Sequence, residues 1–137
     1  YLVNRLAIFG QATQNRLLSA NDITLVSLRA LSILHIEGSL TINEIAARTF
    51  TEQSSTSRAI DAMVSQGLAE RRIPEHDQRQ RVIVLTSLGR EQLGKAWPAM
   101  AEYFNVLSKG ITAEERKLFR DVLIRMLANL NLLVKDD

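Results

Sequence analysis

The stretch LAERRIPEHDQRQRVIVLT, residues 68–86, constrains the fold of this 137-residue chain more than any other. Two runs of strand composition, LAERRI and RVIVLT, flank seven polar residues that begin with Pro74. Val, Ile and Thr suit extended backbone, and Pro opens turns because its ring presets φ. The segment therefore reads as a hairpin. Nearly everything else has helical spacing, so the expected fold class is mainly α with a small β-hairpin.

Residues 1–19 place Leu2, Leu6, Phe9, Leu17 and Leu18 at broadly helical spacing, although Gly10 weakens the middle. After the polar break at 19–22, Thr24 is positioned to cap a second helix over about 25–37. Leu28, Leu31 and Leu34 form its apolar stripe, and Gly38 is expected to close it in a left-handed conformation. Thr41 and Glu44 stand at capping-box spacing and open a short helix that buries Ile42, Ile45 and Ala46 and ends by Thr49. A fourth helix spans about 52–66, with Thr51 as N-cap, Gly67 as stop and Thr56, Ile60, Met63 and Val64 as its buried stripe. Beyond the hairpin, Thr86 caps a long helix to about Ser108, expected to kink near Pro98. Gly110 breaks the chain. Thr112 and Glu115 then form a second capping box, ahead of a last helix whose Leu118, Phe119, Val122, Leu123, Met126, Leu127, Leu130 and Leu133 make a wide apolar face. Such a face has to be covered. It is either ordinary core or, together with the first helix, an interface with a second copy.

With 46% apolar and 23% charged residues, two prolines and six glycines, the composition is globular rather than disordered. The length suits one compact domain, or a small domain plus a dimerisation arm. No apolar run approaches the roughly 20 residues of a membrane span. No basic-then-apolar leader is visible, so the cytoplasm is the simplest expected address, although the start at Tyr1 leaves open what precedes it. Zero cysteines exclude disulfides, thiolate metal sites and cysteine-based sensing within these residues. His35 and His76 lie in different elements, away from the i, i+4 spacing of a helical metal pair, so no metal is expected. Ser54, Ser55 and Ser57 come without a Gly-x-Ser-x-Gly elbow or a base partner, and no glycine loop cradles a phosphate. The chain does not read as an enzyme, and no cofactor is expected.

The formal charge of +2 is mild, but between residues 71 and 90 five arginines stand against Glu75 and Asp77, a local +3. Alone, that is as well read as a solvated face. The order of elements weighs more. Two tightly linked helices followed by a basic hairpin are the parts of a winged helix-turn-helix, whose second helix enters the DNA major groove. Gln53, Ser54, Ser55, Ser57 and Arg58 suit such a helix, because hydroxyls donate or accept and an arginine bridges a guanine edge or a phosphate. The hairpin suits the neighbouring minor groove, whose narrow electronegative stretches attract arginine, and Arg79 sits at its tip. Two residues run against the pattern. Glu52 favours the helix dipole yet repels a phosphate placed there, and Phe50 occupies a turn where such proteins often use glycine.

The stretch SSTSRAIDAMVSQGLAERRIPEHDQRQRVIVLTSLGREQL resembles the MarR (multiple antibiotic resistance regulator) family of transcriptional regulators. The matching pieces are the run around Ser57, Arg58 and Asp61, the Gly67-Leu68 step into a strand ending in Arg71 and Arg72, the Asp77-x-Arg79 pair, and the Leu85-Thr86-x-x-Gly89 exit into the long helix. The helix order outside the stretch matches too. The resemblance implies a single domain over residues 1–137: a winged helix-turn-helix lobe over about 24–90, and helices over about 1–19 and 87–134 that interlock in a homodimer. It implies paired recognition helices, about 52–66, in the major grooves of a near-palindromic double-stranded operator. Each wing, about 74–80, would enter a minor groove, with Arg79 inserted and Asp77 bracing it. The expected DNA-binding set is Gln53, Ser54, Ser55, Ser57, Arg58, Arg72, Asp77, Arg79 and Arg81. Thr56 stands where the family often has valine or leucine, and Arg81 where its wing strand is often apolar.

The resemblance further implies a small aromatic or phenolic effector between the dimerisation helices and the lobe. Candidates by chemistry are His35, Trp97 and Tyr103, with Arg5 or Arg16 for a carboxylate. Trp97 and Tyr103 read equally as core or interface aromatics. The expected function is a sequence-specific regulator, a repressor released by its ligand. The alternatives are a constitutive DNA-binding dimer without effector and a winged-helix module that binds protein.

Overall fold

Threonine hydroxyls start the second and third helices. Thr24 Oγ1 accepts the Ser27 N–H at 3.1 Å and opens α2, Leu25–Glu37. Thr41 and Glu44 form a reciprocal box at the head of α3, Ile42–Thr49: Thr41 Oγ1 accepts the Glu44 N–H at 3.2 Å, and Glu44 Oε2 accepts the Thr41 N–H at 2.8 Å. Each bond satisfies a backbone donor that the first helical turn leaves orphaned. The computed structural model describes the backbone of residues 1–134 and the side chains of residues 1–131. The expected place of Leu133 on the last helix's apolar face lies outside the described side chains.

The other elements are α1, Leu2–Leu18; α4, Gln53–Ser65; β1, Ala69–Arg72; β2, Val82–Leu85; α5, Ser87–Leu107; and α6, Ala113–Val134. A single 3-10 turn, Ser19–Asn21, joins α1 to α2. The chain forms two compact units, the first spanning Tyr1–Ala101 and the second beginning at Glu102. In the first, Leu28, Leu31 and Leu34 of α2, Ile45 of α3, and Ile60 and Met63 of α4 share one core with Ile83 and Leu85 of β2 and with Ala96 and Met100 of α5. Burying one large apolar side chain is worth about 1.5–3 kcal/mol, so this cluster holds the lobe together. Thr56, at the position where the family often has valine or leucine, is 1% exposed, and its hydroxyl donates to the Glu52 carbonyl at 3.0 Å. The polar atom is therefore satisfied within its own helix.

β1 and β2 pair antiparallel from Ala69↔Leu85 to Arg72↔Val82, and Leu40 adds a bridge to Ile83. α5 leaves the hairpin through Thr86, whose Oγ1 donates to the Gly67 carbonyl at 2.7 Å and accepts the Gly89 N–H at 3.0 Å. It then runs without a break through Pro98. In the second unit Thr112 and Glu115 repeat the reciprocal box at the start of α6. Leu118, Phe119, Met126, Leu127 and Leu130 are exposed along α6, as are Leu2, Leu6 and Phe9 along α1. Among the described residues no single helix is long and apolar enough to cross a membrane.

Two helix ends differ from expectation. Thr51 does not cap α4. The N-cap is Glu52, which makes no side-chain cap bond. The link between the helices is so short that Thr51 is still closing α3: its N–H donates to the Ala46 carbonyl at 3.1 Å and its hydroxyl to the Thr49 carbonyl at 3.3 Å. Gly38 does have a positive φ of 87°, but its ψ of −114° lies outside the left-handed helical well. Only glycine enters that region without penalty.

Candidate nucleic-acid interface

α4 turns one face inward through Thr56, Ile60 and Met63, which fixes what it presents outward. Gln53, Ser54 and Arg58 are exposed, while Ser55 and Ser57 are half-buried at the flank. Among the described residues Arg58 reaches only the Ser55 hydroxyl, at 3.4 Å, which leaves most of its guanidinium donors free there. Because Glu52 supplies no side-chain acceptor, the first amides of α4 are available to a ligand, at the positive end of the helix dipole.

The wing is ordered by its own backbone. The Asp77 N–H donates to the Pro74 carbonyl at 3.4 Å, the Gln80 N–H to the Asp77 carbonyl at 3.2 Å, and the Arg79 N–H to Asp77 Oδ1 at 3.0 Å. Asp77 is thus the half-buried post around which the tip folds. The Arg79 side chain is exposed and makes no ion pair or hydrogen bond among the described residues. Arg81 lies just outside β2, and its Nη1 donates to the carbonyls of Gln78 and Gln80 at 3.1 Å each. Its guanidinium therefore ties down tip carbonyls that have no strand partner. Arg72 meets Glu70 at 2.9 Å, but both are exposed, so the pair is weak and open to exchange. His76 is exposed beside the tip.

Arg71 reaches across from β1 to pair with Asp61 on the outer face of α4. The pair joins the outer part of the strand pair to the helix beside it, so the two presentation surfaces are held by one contact as well as by the shared core.

The effector candidates divide. His35 and Trp97 line one apolar groove of about 380 Å³ together with Ser32 and Ile36 of α2 and Arg90, Leu93 and Gly94 of α5. Trp97 is 60% exposed, so it is not a core residue of its own chain. Tyr103 belongs to the second unit, where its ring meets Phe104 edge-on at 5.2 Å. Arg5 and Arg16 are exposed on α1 and do not line the groove. The cation that does line it is Arg90, which sequence reasoning passed over. Arg90, Leu93, Gly94 and Trp97 fall at i, i+3, i+4 and i+7, one face of a helix, and that spacing was the available signal. Among the described residues no three of His, Asp and Glu gather as a metal site.

Comparison with known proteins places this geometry. The family model described as the MarR family matches residues 21–80. A MarR-family transcriptional regulator from Silicibacter pomeroyi, solved by crystallography, is 33% identical with a TM-score of 0.81, covering 94% of this chain and 87% of that one. A structure concerned with the regulation of DNA binding of Bordetella bronchiseptica BpsR by 6-hydroxynicotinic acid superposes with a TM-score of 0.83. It covers 91% of this chain and 89% of that one, and at 18% identity the likeness is one of fold. An uncharacterized HTH-type transcriptional regulator of Bacillus subtilis, YdgJ, is 26% identical over 104 residues, 76% of this chain. The chain spans 63% of that relative's length.

Proposed function

This chain belongs to the MarR family of transcriptional regulators, and we propose that it acts there as a homodimeric, sequence-specific DNA-binding repressor of the cytoplasm, released by a small aromatic effector. The observation that carries the DNA-binding reading is the wing. A loop that uses Asp77 and Arg81 to fix its own backbone leaves Arg79 exposed and unpaired among the described residues, at the far end of a hairpin whose first strand is tied to α4. A cation presented in that way suits a narrow minor groove. α4, with uncapped amides, hydroxyls and Arg58 on its free face, suits the adjacent major groove. The exposed apolar faces of α1 and α6 suit a second copy, which would set two such lobes about 34 to 36 Å apart on a near-palindromic operator. The α2–α5 groove offers apolar walls, the Trp97 ring and His35, with Arg90 as the cation for an acidic group.

The test is selection of bound sequences from random DNA, followed by titration of the recovered duplex with wild-type and Arg79→Ala protein at several salt concentrations. A near-palindromic motif is expected. So is a logarithmic loss of affinity with salt whose slope falls by about 1 in the variant, for one phosphate-region cation removed. Unchanged affinity and slope in Arg79→Ala would refute the wing's role. Absence of salt dependence would favour a protein-binding module.

A further inference from the structure

Phe50 closes α3 with φ 51° and ψ 44°, in the left-handed region, and is 92% exposed. Among the described residues no large apolar side chain is more exposed. Both features are unfavourable to folding. A side chain with a Cβ crowds the neighbouring carbonyl in this conformation, where glycine sits freely, and an aromatic ring in water contributes no burial. The fold does require the backbone conformation, because the Phe50 and Thr51 N–H groups both turn back to the Ala46 carbonyl and let α4 start within three residues. It does not require the ring. A bulky residue held in the left-handed region points toward function.

Chain position says what the ring meets. Phe50 precedes Gln53, the first residue of α4, by three residues, so the two Cα atoms lie within about 11 Å. That is the helix end whose side chains reach base edges in a helix-turn-helix lobe. Between them stands Glu52, with no hydrogen-bond partner for its carboxylate in the cap. A free carboxylate repels phosphate, so the part of a duplex that can approach this corner is its uncharged part, the base edges. The apolar feature of those edges in the major groove is the thymine methyl, and phenylalanine is one of the side chains that contact it. We propose that Phe50 is a specificity-determining residue, its ring packing on a thymine C5-methyl at the edge of the half-site read by α4. This inference rests on the DNA-binding reading above.

The experiment titrates wild-type, Phe50→Gly and Phe50→Leu proteins against the duplex that wild-type protein selects from random DNA. Each half-site thymine is then replaced in turn by deoxyuridine, which lacks only the methyl. Phe50→Gly is expected to unfold at the same or a higher temperature and to bind the selected duplex about tenfold more weakly, with Phe50→Leu between. One deoxyuridine position is expected to weaken the wild type severalfold and leave Phe50→Gly unaffected, which separates a methyl contact from a general loosening of the turn. Equal affinity of wild type and Phe50→Gly, or equal methyl sensitivity in both, overturns the proposal. Full DNA affinity in Phe50→Gly with lost repression in a purified transcription reaction also overturns it, in favour of a protein partner at this corner. If wild-type protein selects no sequence at all, the DNA-binding reading itself fails. That result is visible before any variant is made.

Discussion

Gly89→Ala is the substitution whose cost the geometry fixes most directly. A Cβ at Gly89 would lie 2.1 Å from the Leu68 carbonyl oxygen, 2.7 Å from Leu85 Cδ1 and 3.0 Å from the Leu68 carbonyl carbon. The tip of Leu85 can turn aside. The Leu68 carbonyl cannot, because it accepts the Thr86 N–H at 3.1 Å inside the bonds that join the hairpin to α5. Relief therefore requires the first turn of α5 to back away, which opens the Thr86 cap with it. Overpacking a tight contact costs about 1–3 kcal/mol, and losing a threonine cap costs about 1 kcal/mol more. Removing a glycine from a helix returns at most about 1 kcal/mol, so the net loss is about 1–3 kcal/mol. Gly94 is the internal control, since it lies in the same helix with nothing within 4 Å of its missing Cβ. Gly94→Ala should gain up to about 1 kcal/mol. Urea unfolding followed by circular dichroism, at one fixed protein concentration so that self-association does not enter the difference, measures both. If Gly89→Ala is as stable as wild type while Gly94→Ala gains as expected, the close approach of α5 to Leu68 is not a constraint and the reasoning fails.

The Asp61–Arg71 pair is exposed on both sides, 60% and 41%, so a double-mutant cycle should find less than about 1 kcal/mol of coupling in unfolding. Operator affinity should fall more than stability in Arg71→Ala, and equal small effects on both would remove the pair's role in holding the hairpin beside α4. The Glu44 carboxyl is held below its ordinary value of 4.5, chiefly because it accepts the Thr41 backbone N–H, then by the Thr41 hydroxyl and the Arg48 charge. A lowered folded-state pKa stabilises in full above the unfolded value and is lost as pH falls through the folded one. The stability difference between wild type and Glu44→Gln should therefore be constant well above the ordinary value of 4.5 and shrink as pH falls below it, as read by unfolding curves across the acid range. A difference that grows on acidification would contradict the cap assignment.

What was legible in the sequence is what is local. Thr41 with Glu44 and Thr112 with Glu115 make their bonds across three residues, so spacing alone identified two helix starts that the structure contains. The hairpin was legible for the same reason, and so was the inward stripe of α4. The misreadings concern residues whose partners lie outside their own segment. Thr51 has the right chemistry for a cap, but the α3 end claims it, and only the closeness of two helices decides that. Arg81 stands among the expected DNA contacts, but its bonds to the wing carbonyls could not be read from spacing, because those carbonyls become unpaired only once the tip has folded. Arg90 needed α2 opposite before its helical face became one wall of a groove. Chemistry alone picked out His35 and Trp97, which share that groove, but equally Tyr103, which sits in the other unit.

The groove's two walls are not equivalent, and this bears on how an effector there would act. α2 packs on α3, α4 and β2, so its wall moves with the recognition surface. α5 is fixed to that body at its first turn, where Thr86 holds Gly67 and where Gly89 lies against Leu68, and again farther along, where Ala96 and Met100 are buried in the lobe's core. The lining residues Arg90, Leu93, Gly94 and Trp97 follow the first anchor along the helix, with Trp97 about 12 Å beyond Gly89 at 1.5 Å per residue. A ligand that widened the groove at Trp97 would therefore have to unseat Ala96 and Met100 from that core as well. On the proposed effector reading, a ligand that fits the groove without unseating those residues is therefore the one the lobe accepts at least cost.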